Sequence, residues 1–410
     1  MKYFTRPILS TLSSITALRI LILLLLPCPQ THAAPIAEGN PKFLGNITGS
    51  RATPSNFLSY WNQVTPENSG KWASVERTRD VMDWRWLDST YAFSRKNKIP
   101  MKLHTLIWGN QTPSWVSRLT AEEQLAEVDE WFKACAERYP DVEYIDVVNE
   151  PLHVVHPCRE ALGGAGSTGW DWVVTSFEMA RACFPKAKLL INEFDLVNMG
   201  ENVVKYIEII KPLQEKKLID GVGIQAHWFS FAGMPPNVVR DNIDNLAKTN
   251  LPLYPSEFDL AGNDSVQLHD YKAYFPILWE HPAVVGVTLW GYIQGTTWKD
   301  STWLIRSNGS ERPALVWLRD YVSGKVKTIT PYVIHDYRGR LGDNVARPDD
   351  VGLTVFDLFG RTVARYAAPM RCTSEKNRTA VGAPGMFIIR DSRGSASATA
   401  APERMSMPRR

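Results

Sequence analysis

Cysteine is scarce in this 410-residue chain, with five residues, at 28, 135, 158, 183 and 372. That is too few for a disulfide scaffold, and none are spaced as metal ligands. Glycine and proline, 26 and 27 residues, are far below the content of a collagenous or low-complexity chain. No apolar run reaches the roughly 20 residues that a membrane-spanning helix needs. Acidic residues are missing from positions 1–33, which carry Lys2, Arg6 and Arg19, an aliphatic run over 20–26, and the exit Thr31-His32-Ala33. A basic start, an apolar middle and a small-residue end form the layout of a secretory signal peptide. Arg19 interrupts the longer apolar stretch, and Cys28 after Pro27 is a poor lipidation context, so export to the exterior or cell surface is expected, without a stable membrane anchor.

Net charge is also missing once that leader is removed, since 43 basic residues then face 43 acidic ones. Residues 34–324 hold 28 Lys and Arg against 35 Asp and Glu, and 325–410 hold 15 against 8. A mildly acidic main region argues against nucleic acid as a partner. Tryptophan is absent from the last 93 residues, whereas all 15 copies lie between Trp61 and Trp317. The chain therefore has two regions of different character.

Short apolar runs recur at 43–47, 62–65, 101–107, 144–148, 188–191, 221–225, 253–256 and 284–289. Helical periodicity falls between them, clearest over 120–139, 202–215, 237–248, 266–280 and 314–322. Thr120 with Glu123 spells a capping box. Strand then helix, eight times over, predicts a (β/α)8 TIM barrel within the α/β class. A doubly wound sheet is the competing layout, but no glycine-rich phosphate loop follows the first strand.

Active sites of such barrels sit at the carboxyl ends of the strands. Strand two ends in Glu67, Asn68 and Lys71, and strand three holds His104 and ends in Trp108. Strand four ends in Asn149-Glu150, five in Asn192-Glu193, and six in Gln225 and His227. Strand seven ends in Glu257 and Asp259, and strand eight in Trp290. Any one of these has a structural explanation. Asn149 could cap a helix, His104 could be a satisfied core histidine, and Trp290 could simply pack. Their recurrence at one face points instead to a site. Glu150 and Glu257, nearly opposite across the mouth, suit hydrolysis of a glycosidic bond, which needs one carboxyl protonated and the other ionised. Indoles stack on sugar faces, while amides, Lys and His read hydroxyls. A metal site is the weaker rival, because no His-x-x-x-His or similar spacing appears.

Six segments, taken in order, resemble glycoside hydrolase family 10, the retaining endo-β-1,4-xylanases. They are Val64-Thr65-Pro66-Glu67-Asn68 with Lys71-Trp72; His104-Thr105-Leu106-Ile107-Trp108; and Asp146-Val147-Val148-Asn149-Glu150-Pro151. The others are Asp220-Gly221-Val222-Gly223-Ile224-Gln225-Ala226-His227, Ser256-Glu257-Phe258-Asp259-Leu260, and Trp290-Gly291 with Trp298 and Arg312-Pro313-Ala314. The resemblance spans about 42–322. It implies Glu150 as general acid then base, Glu257 as nucleophile, and Asn149 on the sugar 2-hydroxyl. It further implies that His227 orients Glu257 with Asp259 behind it, and that His104, Trp108 and Gln225 line the subsite beside the cut. Glu67, Asn68 and Lys71 would hold the next sugar outward, with Trp290 and Trp298 roofing the cleft. Xylan or xylo-oligosaccharides would be the substrate of a monomer needing no metal or organic cofactor. Alternatives are a retaining endo-β-1,4-glucanase and a glycan-binding protein that has lost catalysis.

The sequence departs from that family's pattern at several points. Gly109 stands where many members have His, Gly70 where Met is usual, and Glu193-Phe194-Asp195 where Asp-Tyr-Asn is common. Pro255 falls inside the seventh run, where it removes a ladder hydrogen bond. The organisation expected is a signal peptide over 1–33, the catalytic barrel over 34–324, a linker over 325–345, a small β domain over 346–391 and a disordered tail over 392–410. The alternation at 353–364 and 385–390 is similar to small secretion-sorting β domains of some exported bacterial enzymes. Without that role it would be a plain β appendage.

Overall fold

The computed structural model describes residues 34–49 and 52–326, together with the backbone of four short strands beyond 350. The expected leader over 1–33 lies outside the described residues, as does the expected linker from 327 onward.

Eight parallel strands build the main unit: β1 (Phe43–Thr48), β2 (Val64–Pro66), β3 (Lys102–Ile107), β4 (Tyr144–Asn149), β5 (Lys188–Glu193), β6 (Gly221–Ile224), β7 (Leu253–Pro255) and β8 (Gly286–Leu289). Nearly all of their residues are buried, as expected of a parallel sheet covered on both faces. Hydrogen-bonded order runs β2-β1-β8 in one stretch and β3-β4-β5-β6-β7 in the other. Two seams close the ring. Val64 bridges Met101 between β2 and β3, and Leu253 bridges Val284 while Phe258 bridges Leu289 between β7 and β8. The result is a closed (β/α)8 barrel with no open sheet edge.

The long helices are α1 (Arg85–Asn97), α2 (Ala121–Arg138), α3 (Asp171–Cys183), α4 (Gly200–Glu215), α5 (Pro236–Ala247), α6 (Asp264–Trp279) and α7 (Pro313–Val322). They follow β2 through β8 in turn. The first crossover departs from the expected eightfold alternation, because among the described residues between β1 and β2 the single 3-10 turn Phe57–Ser59 is the only helical element. Pro54 and Asn56 break that segment, and Phe57 and Trp61 supply the covering apolar surface instead. Their rings meet Phe93 at 5.5 Å and Tyr292 at 5.4 Å. The Thr120–Glu123 capping box is formed in full and starts α2, a feature worth about 1 kcal/mol. The buried face of α1 includes Thr90 and Ser94, and α3 is buried on most of its circumference.

Inside α1 and α2, Trp131 lies parallel between Trp72 and Trp84, at 6.0 and 5.7 Å, and donates its indole N–H to the Leu106 carbonyl at 3.0 Å. Cys135 and Cys158 are buried and Cys183 is partly exposed, and all three are free thiols. Among the described residues no helix is long and apolar enough to cross a membrane.

Residues 328–410 form a separate unit. Its described strands are β9 (Leu353–Phe356), β10 (Thr362–Tyr366), β11 (Phe387–Asp391) and β12 (Ala396–Thr399), antiparallel in the order β10-β9-β11-β12. The last of these lies inside the 392–410 segment that composition marks as disordered. The open edge of β11 gives its polar backbone a ladder to join.

Candidate active site

Glu257 follows β7 directly. Pro255 is the last residue of that strand, so its missing N–H costs little. The ladder resumes at once, with Ser256 N donating to Ile224 O and Glu257 N to Gln225 O, while Phe258 N donates to Thr288 O on β8. The backbone under Glu257 is thus gripped from both sides. Glu150 follows β4 with its N–H on Asn192 O at 2.8 Å. Its φ is 58°, in the left-handed region that a non-glycine residue occupies at a cost of about 1–3 kcal/mol. The turn that holds it there has His153 N and Val154 N donating to the Glu150 carbonyl. Register shifts accompany the turn. Three steps along β3 match two along β4 between His104 and Ile107, and a similar slip separates β4 from β5. Such irregularities re-aim side chains at a barrel rim.

A chain of amides joins the two carboxylates. Gln225 Nε2 donates to Glu150 Oε1 at 2.8 Å and lies 3.4 Å from Asn149 Oδ1. Asn192 Nδ2 donates both to Asn149 Oδ1 at 2.8 Å and to Glu257 Oε1 at 2.7 Å. Ser256 Oγ fixes the other end of Asn192 by donating to its Oδ1 at 2.6 Å. The second oxygen of Glu150 accepts from Trp108 Nε1 at 2.8 Å. Asn192 closes strand five and so stands at the expected face, but no role there followed from the sequence. The repeat of Asn-Glu at 149–150 and 192–193 is the signal that could have found it.

His227 stands behind Glu257, with Nε2 3.3 Å from Glu257 Oε2 and Nδ1 3.3 Å from Asp259 Oδ1. Asp259 in turn accepts from Trp228 N at 2.8 Å and Trp298 Nε1 at 2.6 Å. Glu257 is only 4% exposed. Burial alone would raise its pKa, but electrostatic attraction from His104, the hydrogen bond and charge of His227, and the charge of Lys102 outweigh it and hold the carboxyl below its usual range. For His227, burial pulls downward and is overcome by Asp259 and Glu257, which hold the imidazole protonated. In a His227→Asn variant Glu257 is expected to titrate about one unit or more higher, because an adjacent opposite charge is lost while burial remains. Carbon-13 NMR titration of the carboxyl checks this, and an unmoved Glu257 would assign its ionisation to other groups.

The remaining candidates gather on the same mouth. His104 Nδ1 lies 2.9 Å from Asp146 Oδ2, which also pairs with Lys102 Nζ at 2.9 Å inside the barrel. Lys71 is buried, with Nζ 4.5 Å from the Trp108 ring centre and 3.3 Å from Asn68 Oδ1. Burial lowers the Lys71 pKa against the pull of Glu257, Glu67 and Glu150. Burial likewise raises Glu67, opposed by Lys71 and reinforced by Glu257. Trp290 is buried, edge-on to His104 at 5.3 Å and to His227 at 6.2 Å. Trp298 is 49% exposed. Gln225 is buried and donates its amide to Glu150, with Asn149 Oδ1 also in reach. Glu193 is buried and takes His153 Nδ1 at 2.8 Å and Leu152 N at 2.8 Å.

Two carboxyls on β4 and β7, one of them held ionised, share the mouth with paired indoles and amides. Fold and site together place this chain in the class of (β/α)8-barrel glycoside hydrolases. Residues 37–321 match the family model described as glycosyl hydrolase family 10, and the chain belongs to that family. It is 42% identical over 279 residues to endo-1,4-beta-xylanase B of Cellvibrio japonicus, covering 68% of this chain and 45% of that protein. It therefore spans under half the length of that relative. It is 33% identical over 261 residues to the beta-1,4-xylanase of Dictyoglomus thermophilum, covering 58% of this chain and 73% of that one. The crystal structure of native xylanase 10B from Thermotoga maritima shares the fold, with a TM-score of 0.63 at 23% identity over 71% of this chain and 97% of that one.

Proposed function

We propose that this chain is an endo-1,4-β-xylanase that cleaves internal bonds of xylan with retention of configuration. The observation that carries the reading is the Glu150–Gln225–Asn149–Asn192–Glu257 relay, which couples two carboxyls of unlike environment at one mouth. In the first step Glu150 gives its proton to the glycosidic oxygen while Glu257 attacks the anomeric carbon, and the leaving sugar departs. In the second, Glu150 takes a proton from water, which displaces Glu257. Two inversions return the original configuration. Retention asks for a carboxyl separation of about 5–5.5 Å. Asn149 meets the 2-hydroxyl, His104 and Trp108 flank the sugar beside the cut, and Glu67, Asn68 and Lys71 hold the next one. Two carboxyls complete the proton and bond accounts, so the mechanism calls for no metal or organic cofactor.

Xylan is favoured over a glucan by the packing of the cleft wall. Trp290 is wedged against His104 and His227, and Trp298 is tied to Asp259. A glucose hydroxymethyl would press on that wall, and xylose has none. The two intact carboxyls speak against a glycan-binding protein without turnover. Proton NMR during digestion tests the reading. Xylan should release xylo-oligosaccharides whose first-formed ends are β-anomers, and carboxymethylcellulose should release little. Equal rates on both substrates, or α-anomers first, would overturn it.

The same reading has the protein exported by the 1–33 leader to the medium or cell surface, acting as a monomer without a membrane anchor. Its barrel over 34–324 works with the small β unit as an appendage, whose similarity to sorting domains suggests a role in secretion.

A further inference from the structure

We propose that His156 is a positioning residue that braces Trp108, so that the loop after β4 carries both the acid, Glu150, and the support for its hydrogen-bond partner. The proposal rests on reading Glu150 as the acid and base.

Glycine at 109 leaves room for that loop. A Cβ at Gly109 would lie 2.5 Å from the Val155 carbonyl oxygen and 2.7 Å from a Val154 methyl, so any side chain there would push the loop away. The loop seats on the bare backbone and delivers His156 to the interior, where it is 1% exposed. Cys158 N donates to His156 Nδ1 at 3.1 Å. Burial holds the ring neutral, lowering its pKa to about 3. With Nδ1 accepting, the single proton of a neutral ring sits on Nε2, which donates to Thr112 Oγ1 at 2.8 Å. Thr112 Oγ1 donates onward to the Trp108 carbonyl at 2.7 Å. Trp108 completes the circuit by donating Nε1 to Glu150 Oε2 at 2.8 Å. Every donor in the series has one acceptor, so the indole is held from its own backbone by the loop that begins at the carboxylate it serves.

The brace serves the delivery of a proton to a poor leaving group. An activated aryl leaving group departs without that proton, so it separates aim of the acid from general integrity of the site. We expect His156→Phe and Thr112→Val each to lower kcat/KM on xylotetraose about tenfold, and to leave it within about twofold on 2,4-dinitrophenyl β-xylobioside. His156→Gln, whose amide N–H can reach Thr112, should recover most of the loss. Thr112→Val is nearly isosteric and keeps the test open if His156→Phe fails to fold. Equal losses on both substrates would make His156 a merely structural residue, and no loss on either would make it idle; both results sink this proposal while leaving the xylanase reading intact. No cleavage of xylotetraose by the unaltered chain would instead remove the reading and the proposal together.

Discussion

Replacing Glu257 with alanine is expected to lower kcat by about 10⁴-fold or more while oligosaccharide binding persists. Glu257 is a buried carboxylate at the mouth, clamped by Asn192 on one oxygen and by His227 near the other. The charged His227 and Lys102, with His104 beside them, keep it ionised against the pull of burial, which is the state a nucleophile needs. Truncation leaves a gap below the anomeric carbon and no attacking atom. The sugar contacts proposed for Glu67, Asn68, Lys71 and the indoles do not involve Glu257, so calorimetry should still record binding. Azide fits the gap and should restore turnover of activated substrates, yielding an α-glycosyl azide because only one inversion remains. A loss under tenfold, or a β-azide, would move the nucleophile elsewhere.

Replacing Glu150 with alanine should produce a different failure. Hydrolysis of xylan is expected to fall about 10³-fold, since general acid assistance contributes roughly 10²–10⁴. A dinitrophenyl xylobioside should still form the glycosyl-enzyme, because its leaving group needs no proton. The second step then lacks a base, so stopped-flow traces should show a burst followed by slow release. Azide needs no deprotonation and should release the intermediate as a β-glycosyl azide. Uniform slowing without a burst would show that Glu150 does not divide its work between the steps. The two azide products, of opposite configuration, separate the roles of the carboxylates in one pair of experiments.

Much of the site was legible in the chain because barrel strands place their chemistry at one end. Each apolar run closes in polar residues, and the rule that these ends form one mouth turned scattered sequence positions into a constellation. Less visible were residues that touch other side chains rather than substrate. Asn192 joins Asn149 to Glu257 across separate strands, and no local spacing announces such a bridge. His156 and Thr112 sit in loops whose sequence shows no period at all. Helices α1 and α3 were hard to see for a related reason, since polar Thr90 and Ser94 stand on the buried face of one and buried residues spread over more than one side of the other. The first crossover misled in the opposite direction, because repetition suggested a helix where Pro54 and two buried aromatics do its work.

By itself the order of residues determined the barrel, the mouth and the identity of its two carboxylates, because period-matched apolar runs and their polar ends are local properties of the chain. Tertiary structure decided the ionised state of Glu257, the protonated state of His227 and which atoms restrain the two carboxyls. Those depend on burial and on charges brought close from distant positions: His104, His227 and Lys102 around Glu257, and the loop of Glu150 folded onto Gly109. Electrostatic work falls with distance through space, and distance through space exists only once the barrel has closed.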